Sequence, residues 1–319
     1  MRRAHLRFLL GHAPRRLDAV DPTLTVLDWL RRHERRTGTK EGCAEGDCGA
    51  CTVIVGRPRG DGLRYDAINS CIRFLPTLDG CQLLTVEDLA GPDGALHPVQ
   101  AALVGHHASQ CGFCTPGFVM ALWALARSGV EPTVETVEDA LAGNLCRCTG
   151  YGPIVQAARA VCNPGPLADA ITARETEILA RLRDLDDGAT LEIGDGARRF
   201  LAPADLDSAA ALLLEHPGAT ILAGGTDVGL WVTKQDRDLG TILWLGKVAE
   251  LQRIALTEDG LELGAGVAWR DALPALARLF PDAGEVLRRF GSMQVRNAGT
   301  IGGNVANGSP VGDGPPLLM

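Results

Sequence analysis

The spacing of apolar residues divides the chain into three stretches of different character. In residues 1–85, "HLRFLLG" alternates Leu6, Phe8 and Leu10, which predicts a half-buried strand. A returning strand at "APRRLDAV", a short helix at "TVLDWLRRH" and strand-like runs at "CTVIVG" and "CQLLTVEDL" follow. Strands, a helix, a cysteine-rich loop and further strands predict a β-grasp arrangement for this stretch.

From residue 86 to 162 the apolar spacing changes to that of short helices. Pro98 and Pro116 stand at first-turn positions of two of them, and Pro153 begins another. The remaining helix, "TVEDALAGNL", has Thr136 and Asp139 at capping-box spacing. Four short helices predict a compact helical bundle.

The Pro/Gly-rich "NPGPLAD" and the charged run behind it predict a linker over 163–195. Residues 196–319 return to a glycine-rich α/β pattern, with strands at "TILAG", "TILWLG" and "GLELGAG" and a helix at "ALPALARLF". This pattern stops within what resembles an unfinished domain, so we expect the domain to continue beyond Met319. The sequence thus predicts a multidomain α+β fold divided into 1–85, 86–162, 163–195 and 196–319.

Composition and charge limit the class of protein, its partners and its cellular compartment. The 319-residue chain is 46% hydrophobic and 22% charged, which is typical of a globular protein. A formal net charge of −8 argues against nucleic acid and membranes as partners, because both attract clustered Lys and Arg. No apolar run reaches the length of a signal-peptide core at the N-terminus or of a membrane span elsewhere. We therefore expect a cytoplasmic protein whose clustered thiols are metal ligands or redox groups.

The first cysteine group lies in "EGCAEGDCGACTV". Cys43, Cys48 and Cys51 have C-x4-C-x2-C spacing and Cys71 follows on a later segment, which is the plant-type pattern of a [2Fe–2S] cluster. Three thiolates on one loop bring the backbone close to the metal, and the interleaved glycines allow sharp turns whose amides donate to sulfur. The alternative is structural zinc, although zinc ribbons usually offer two separate C-x2-C knuckles.

The second cysteine group comes from "SQCGFCTPG" and "NLCRCTGYGP", which supply Cys111, Cys114, Cys146 and Cys148. Taken alone, these thiols fit either zinc or a binuclear cluster. The C-x-C pair suits a binuclear cluster because its ligand pairs hold separate irons, and a ferredoxin-type site nearby favours an electron relay. We interpret His106 and His107 as surface or supporting residues, and Cys81 and Cys162 as small buried side chains.

Two glycine-dense loops follow in the last stretch. "TILAGGTDVGLW" places Gly224 and Gly225 directly after an apolar strand, where exposed amides would suit a pyrophosphate. "RNAGTIGGNVANGSPVGD" adds polar donors at Thr300, Asn304 and Ser309. Neither loop is a dinucleotide-binding G-x-G-x-x-G fingerprint, and a Gly-Gly turn is often only a turn.

In this order, the two cysteine signatures resemble the iron–sulfur region of the molybdenum hydroxylases, the family of xanthine dehydrogenase, aldehyde oxidase and carbon monoxide dehydrogenase. All eight ligand positions match, over residues 1–162. The resemblance implies a ferredoxin-like domain and a four-helix domain, each with one [2Fe–2S] cluster. The glycine loops resemble the FAD-binding domain of the same family, of vanillyl-alcohol-oxidase-like fold and incomplete here. This implies FAD contacts at Ile221, Leu222, Ala223, Gly224, Gly225, Thr226, Asp227, Val228, Thr300, Gly303, Asn304 and Asp313.

The resemblance also implies an electron-transfer subunit without catalytic residues of its own. Electrons would come from a molybdopterin-binding large subunit, pass the helical-domain cluster and then the ferredoxin-type cluster, and reach FAD and NAD⁺. The implied reaction is oxidation of hypoxanthine and xanthine to urate, by an (αβ)₂ heterotetramer. The equivalent subunit of an aldehyde, nicotinate or other heterocycle hydroxylase fits the same motifs. A zinc-stabilised binding module is the alternative of a different class.

Overall fold

The computed structural model describes residues 1–91, 93–162, 167, 169–309 and 311–319. Most of the Pro/Gly-rich stretch predicted at 163–169 lies outside the described residues. The described strands are β1 (Arg2–Arg3), β2 (Leu6–Leu10), β3 (Ala13–Leu17), β4 (Thr52–Arg59), β5 (Gly62–Asn69), β6 (Gln82–Leu84), β7 (Thr190–Asp195), β8 (Arg198–Ala202), β9 (Thr220–Leu222), β10 (Thr241–Trp244), β11 (Ile254–Leu256) and β12 (Leu261–Leu263).

The described helices fall into one short N-terminal helix and two larger groups. They are α1 (Val26–Asp28, continued by a π turn, Trp29–His33), α2 (Pro98–Gly105), α3 (Thr115–Ser128), α4 (Val134–Leu141), α5 (Gly152–Val161), α6 (Glu175–Leu185), α7 (Leu206–Glu215), α8 (Val228–Thr233), α9 (Trp269–Leu279), α10 (Pro281–Arg289), α11 (Met293–Ala298), α12 (Ile301–Asn307) and α13 (Gly314–Leu318). None of the helices in the described ranges combines the length and the apolarity that crossing a bilayer requires.

The first domain is a β-grasp. Its five strands form a mixed sheet in the order β3-β2-β6-β4-β5, in which β2 and β6 run parallel and the other neighbours antiparallel. α1 crosses one face, where Trp29 meets Phe8 edge to face with ring centroids 5.1 Å apart. The predicted cap of this helix is present, because the Thr25 hydroxyl accepts a hydrogen bond from the Asp28 amide at 3.1 Å.

Both faces of the β-grasp sheet are buried, so the prediction of a half-buried strand for β2 is wrong. Leu9 points away from the face that carries Leu6 and Phe8, and it packs against Ile178 and Leu182 of α6. The charged run predicted as part of the linker therefore forms an amphipathic helix that covers the sheet.

Helices α2 to α5 form the second domain, which packs on the β4–β5 end of the same sheet. Trp123 of α3 meets Tyr65 of β5 at 5.2 Å between ring centroids. The predicted cap of α4 at Thr136 is wrong: α4 begins one turn earlier, where the Thr133 hydroxyl accepts from the Thr136 amide at 3.1 Å. Starting at Thr133 adds a turn of backbone hydrogen bonds, and Thr136 instead donates to Glu131 O.

The third domain contains a second mixed sheet, in the order β1-β7-β8-β10-β9, the β11–β12 hairpin, and helices α7 to α13. The predicted strands at β9, β10 and β12 and the predicted helix at α9 are present. Its edge strand β1 comes from the start of the chain, where Arg2 pairs with Thr190 and Arg3 with Leu191.

The first and third domains share one apolar core. Leu6 and Phe8 of the β-grasp belong to the same buried cluster as Phe200 and Trp244 of the third domain. At the edge of this core, Arg3 and Lys247 both pair with the buried carboxylate of Asp79. This shared core brings the segment around Cys71 against the loop that follows β9.

Candidate metal centres and nucleotide cleft

The first cysteine site is formed by the loop before β4 and by Cys71, which lies shortly after the end of β5. Cys51 and Cys71 are buried, with their Sγ atoms 3.3 Å apart. Cys43 and Cys48 are partly exposed on the loop. The two strand ends thus fix one pair of thiols, and the loop folds the other pair over it.

Backbone amides surround the Cys43 sulfur. The N–H groups of Glu45 and Cys48 both donate to Cys43 Sγ at 3.4 Å. Contact with Cys71 and these amides lower the pKa of the Cys43 thiol to about 3, which favours the thiolate that a metal needs. The amide–sulfur contacts predicted from the glycine-rich loop are therefore present in the structure.

The loop is held against the helical domain by a very close approach at Gly49. This residue has a φ of +69°, and a Cβ there would lie 2.1 Å from the carbonyl oxygen of Gly143. Only glycine fits both conditions. On the other side of the loop, Asn69 Nδ2 donates to Gly46 O at 2.7 Å.

The second cysteine site lies at an end of the helical domain, between the segments before α3 and before α5. Its thiols approach one another in two pairs, Cys111 with Cys148 and Cys114 with Cys146. The C-x-C thiols therefore face different partners, as separate irons of a binuclear cluster would require. Cys111 and Cys148 are exposed, unlike Cys51 and Cys71 of the first site.

Tyr151 and Thr149 hold Cys146 of this second site in place. The Tyr151 hydroxyl accepts a hydrogen bond from the Cys146 amide at 3.0 Å, and the Thr149 hydroxyl lies 3.2 Å from Cys146 Sγ. Although burial opposes it, contact with Thr149 lowers the pKa of the Cys146 thiol. The "TGY" that follows the C-x-C pair thus positions a thiolate.

The arrangement of thiols bears on the choice between one zinc ion and a binuclear cluster. In the described ranges, no three His, Cys, Asp or Glu side chains are grouped as one metal ion would require. The thiols of the second site meet in two pairs, as the ligands of a binuclear cluster do. In the first site, Cys71 contacts both Cys43 and Cys51. His106 is partly buried and His107 exposed after α2, and Cys81 and Cys162 are buried as expected.

A cavity of about 660 Å³ lies between the first and third domains, within the size range of small-molecule sites. Most of the predicted FAD contacts line it: Ile221, Ala223, Gly224, Gly225, Thr226, Asp227, Val228, Thr300, Gly303 and Asn304. Two do not. Leu222 is buried in the shared core, and Asp313, at the start of α13, is not among the lining residues.

The two glycine loops meet at the floor of this cavity. Residues 223–227 run from β9 into α8, and Thr300 caps α12 by accepting from the Gly303 amide at 3.1 Å. The loops are in contact, because a Cβ on Gly224 would lie 2.0 Å from Ala298 O. Their amides thus share one concave surface, which fits the phosphate groups of a nucleotide.

The opposite wall comes from the β-grasp domain and was not predicted. Arg57, Arg64, Asp66 and Arg73 line the cavity from β4, β5 and the segment after Cys71. Asp66 pairs with Arg64 at 2.8 Å and with Arg270 of α9 at 2.7 Å. These arginines carry no local sequence signal of a ligand site, because only the fold brings them to the cavity. Arg73, for example, reaches Gly224, which lies 151 residues away in the sequence.

Close contacts join the two cysteine sites to each other and to the cavity. The Leu145 amide, next to Cys146, donates to Cys48 O at 3.0 Å. Ile72, next to Cys71, touches the start of α8, where a Cβ on Gly229 would lie 2.4 Å from Ile72 O. The second cysteine site, the first and the cavity therefore follow one another in space.

A buried polar group ties all three domains together beside the first cysteine site. Gln294 Nε2 of α11 donates to Thr52 Oγ1 at 3.1 Å and to Asn144 Oδ1 at 2.9 Å. Asn144 Nδ2 in turn donates to Gly49 O at 3.1 Å. Each domain contributes one side chain, and the three fix how the domains dock.

Comparison with protein families agrees with this order of sites. Residues 10–73 match the 2Fe-2S iron–sulfur cluster binding domain, residues 85–159 the [2Fe-2S] binding domain, and residues 195–319 the FAD binding domain in molybdopterin dehydrogenase. The chain belongs to the molybdenum hydroxylase family, as its iron–sulfur and flavin module. The predicted multidomain fold is confirmed, with the three domains in the predicted order.

Members of this family also match along nearly the whole chain. Xanthine dehydrogenase of Drosophila pseudoobscura pseudoobscura is 33% identical over 347 residues, which cover 93% of this chain and 26% of that protein. Aldehyde oxidase 1 of Rattus norvegicus is 30% identical over 355 residues, or 94% of this chain and 26% of that protein. The chain thus spans about a quarter of the length of these curated relatives.

Among solved structures, quinoline 2-oxidoreductase from Pseudomonas putida 86 is similar to part of the chain. It is 31% identical, with 56% of this chain and 96% of that chain covered, at a TM-score of 0.43.

Proposed function

We propose that this chain carries electrons from a molybdopterin-binding partner through two [2Fe–2S] clusters to FAD. One observation carries the proposal: in space, the cysteine site of the helical domain contacts that of the β-grasp domain, which in turn contacts the glycine-lined cavity. When bound, the clusters supply single-electron transfer and the flavin exchanges single electrons for pairs. The chain itself holds, shields and tunes these groups, and none of its residues acts on the substrate.

The eight thiols are the proposed ligands, four to each cluster. Cys43, Cys48, Cys51 and Cys71 hold the cluster of the 1–85 domain, and Cys111, Cys114, Cys146 and Cys148 hold that of the 86–162 domain. The fit is supported by the pairing of thiols and by the amides that donate to Cys43 Sγ. The 163–195 segment and the 196–319 flavin domain complete the proposed division of the chain.

FAD is proposed to lie in the cavity with its phosphates on the two glycine loops. The contacts are those predicted, except that Leu222 and Asp313 do not line the cavity. Leu222 remains a backbone neighbour of the loop, and Asp313 lies at the cap of α13.

The helical domain is the proposed docking face for the partner subunit. Its exposed thiols, Cys111 and Cys148, are surrounded by exposed apolar side chains of Phe113, Leu145 and Tyr151. An apolar patch around exposed redox ligands is typical of a surface that another protein covers. We propose an (αβ)₂ heterotetramer in the cytoplasm with a molybdopterin subunit.

For the substrate, we propose hypoxanthine and xanthine, with NAD⁺ as the electron acceptor. Support comes from xanthine dehydrogenases among the relatives, at 33% identity in two insect proteins. Aldehyde oxidases at 30% identity support the second candidate, an aldehyde or heterocycle hydroxylase. The two candidates differ in the partner's pocket, so this chain does not separate them by its own residues.

The cofactor content of the purified chain tests the electron-transfer proposal. We expect about four iron and four acid-labile sulfide per chain, one FAD, and two distinct EPR signals after reduction. A colourless protein with stoichiometric zinc would contradict it and support a zinc-stabilised binding module. Co-purification with a molybdopterin subunit, followed by assays with xanthine, aldehydes and N-heterocycles against NAD⁺ or O₂, tests substrate and acceptor separately.

A further inference from the structure

Arg73 is a buried guanidinium on the cavity wall, two residues after Cys71. Only 7% of the residue is exposed. Its Nη1 donates to Gly224 O at a long 3.4 Å, its guanidinium carbon lies 5.8 Å from the centre of the Trp244 ring, and its Nε has no hydrogen-bond partner. A guanidinium has five N–H donors, so most of the donors of Arg73 lack a strong acceptor.

No carboxylate of the described residues forms an ion pair with this guanidinium. Asp66, the acidic residue of the same wall, is already paired with Arg64 and Arg270. Arg57 also lines this wall. Its Nε has no hydrogen-bond partner, and its Nη2 lies as far as 3.9 Å from Asp66 Oδ2. The wall thus carries more positive than negative charge. It faces the glycine loops that form the floor of the cavity.

A buried, unpaired charge is costly, so proteins keep it where a ligand or partner compensates it. An arginine guanidinium stays protonated at neutral pH. The charge therefore points to a ligand group that is, or becomes, negative. Arg73 also lies on the cavity side that is reached through Ile72 from the first cysteine site.

We propose that Arg73 contacts the ring system of the bound flavin and stabilises the negative charge that the ring gains on reduction. Two electrons from the reduced clusters and one proton from solvent leave a single negative charge on a flavin ring at neutral pH. Arg73 keeps its proton, and no bond forms or breaks at the guanidinium. A fixed positive charge at this position makes reduction of the flavin more favourable. The inference rests on the proposed function.

The test compares neutral and charged variants of the full chain, purified with its cofactors. In Arg73→Gln and Arg73→Met we expect the equilibrium constant for flavin reduction to fall about tenfold, which is about 30 mV for a two-electron couple. Arg73→Lys should keep most of the wild-type potential. Arg16→Gln, which removes an exposed charge from β3 outside the cavity wall, is the matched control and should change nothing.

FAD affinity, measured by flavin fluorescence, separates this role from a phosphate contact. We expect the dissociation constant to change less than fivefold in the neutral variants. An unchanged potential, or a large loss of FAD affinity with intact cluster EPR signals, would overturn the inference. Loss of FAD from both neutral variants would also overturn the inference, because it would show that Arg73 contacts the phosphates or has only a structural role. Absence of clusters and flavin from the wild-type chain would instead defeat the proposed function.

Discussion

The cysteine site of the β-grasp domain and that of the helical domain differ most in what surrounds their thiols. The first is enclosed by all three domains: its loop packs on Gly143, and Ile72 packs on the third domain. The second has two exposed thiols and an apolar rim. Under the proposed function, two equal sets of four thiols would serve different positions in the chain of electron transfer: the first lies between internal partners, and the second faces an external subunit. Because solvent exposure also shifts cluster potentials, the two should differ in potential.

Replacing one ligand in each site should break this comparison most strongly. Cys71→Ser is expected to remove the cluster of the β-grasp domain and to reduce FAD content, because the adjacent Ile72 supports the cavity. Cys148→Ser should remove the other cluster and leave FAD bound. Each variant serves as the control for the other, by iron analysis, EPR and flavin content. Equal loss of FAD in both would show that the two sites are not structurally distinct.

The polar group that joins the domains should make the enclosed site sensitive to a distant residue. Gln294→Ala leaves Asn144 Oδ1 without its buried donor and leaves Thr52 Oγ1 only the Asn144 Nδ2 donor at 3.3 Å, which is expected to cost about 1–3 kcal/mol in the free energy of unfolding. Urea unfolding followed by cluster absorbance measures this. Gln156→Ala, at an exposed position of α5, should stay within about 0.5 kcal/mol of wild type. Similar values for both would contradict a role for the junction.

Thiol reactivity sharpens the comparison without any substitution. In the cofactor-free chain, an alkylating reagent should label Cys111 and Cys148 at least about tenfold faster than Cys51 and Cys71, because the buried thiols react only after local opening. Mass spectrometry of peptides quenched at intervals gives each rate. Cys81 and Cys162 provide an internal reference for buried thiols. Uniform labelling would mean that the enclosed site does not form without its metal.

The smallest expected effect concerns the support beneath the exposed site. Tyr151→Phe removes the acceptor of the Cys146 amide, an interaction of about 1 kcal/mol. We expect a small shift in the potential of the helical-domain cluster and an unchanged β-grasp cluster. EPR-monitored redox titration measures both in one sample. A shift in the β-grasp signal alone would contradict the assignment of Tyr151 to the second site.

The sequence predicts the site correctly where its chemistry is local. Ligand spacing, the glycine loops and the cap at Thr25 each lie within a few residues, so a pattern can record them. Contacts between distant segments leave no such pattern: Thr52, Asn144 and Gln294 belong to three domains and share no sequence motif. Arg73 stands inside the apolar run "CIRFLPTL", where nothing announces that its side chain reaches the loop after β9. The solvated face predicted for β2 was wrong for the same reason, because α6 arrives from another part of the chain.

The pairing of β1 with β7 has a consequence for synthesis on the ribosome. Arg2 and Arg3 are translated long before their partners Thr190 and Leu191. At bacterial or eukaryotic elongation rates this leaves the opening segment without its neighbour for roughly ten seconds or more. The β-grasp domain can fold in that interval, but β1 can join the sheet of the third domain only after β7 has been synthesised. A bulky affinity tag inserted next to β1 would crowd this late-formed strand pair, whereas the same tag on an exposed loop would leave maturation undisturbed.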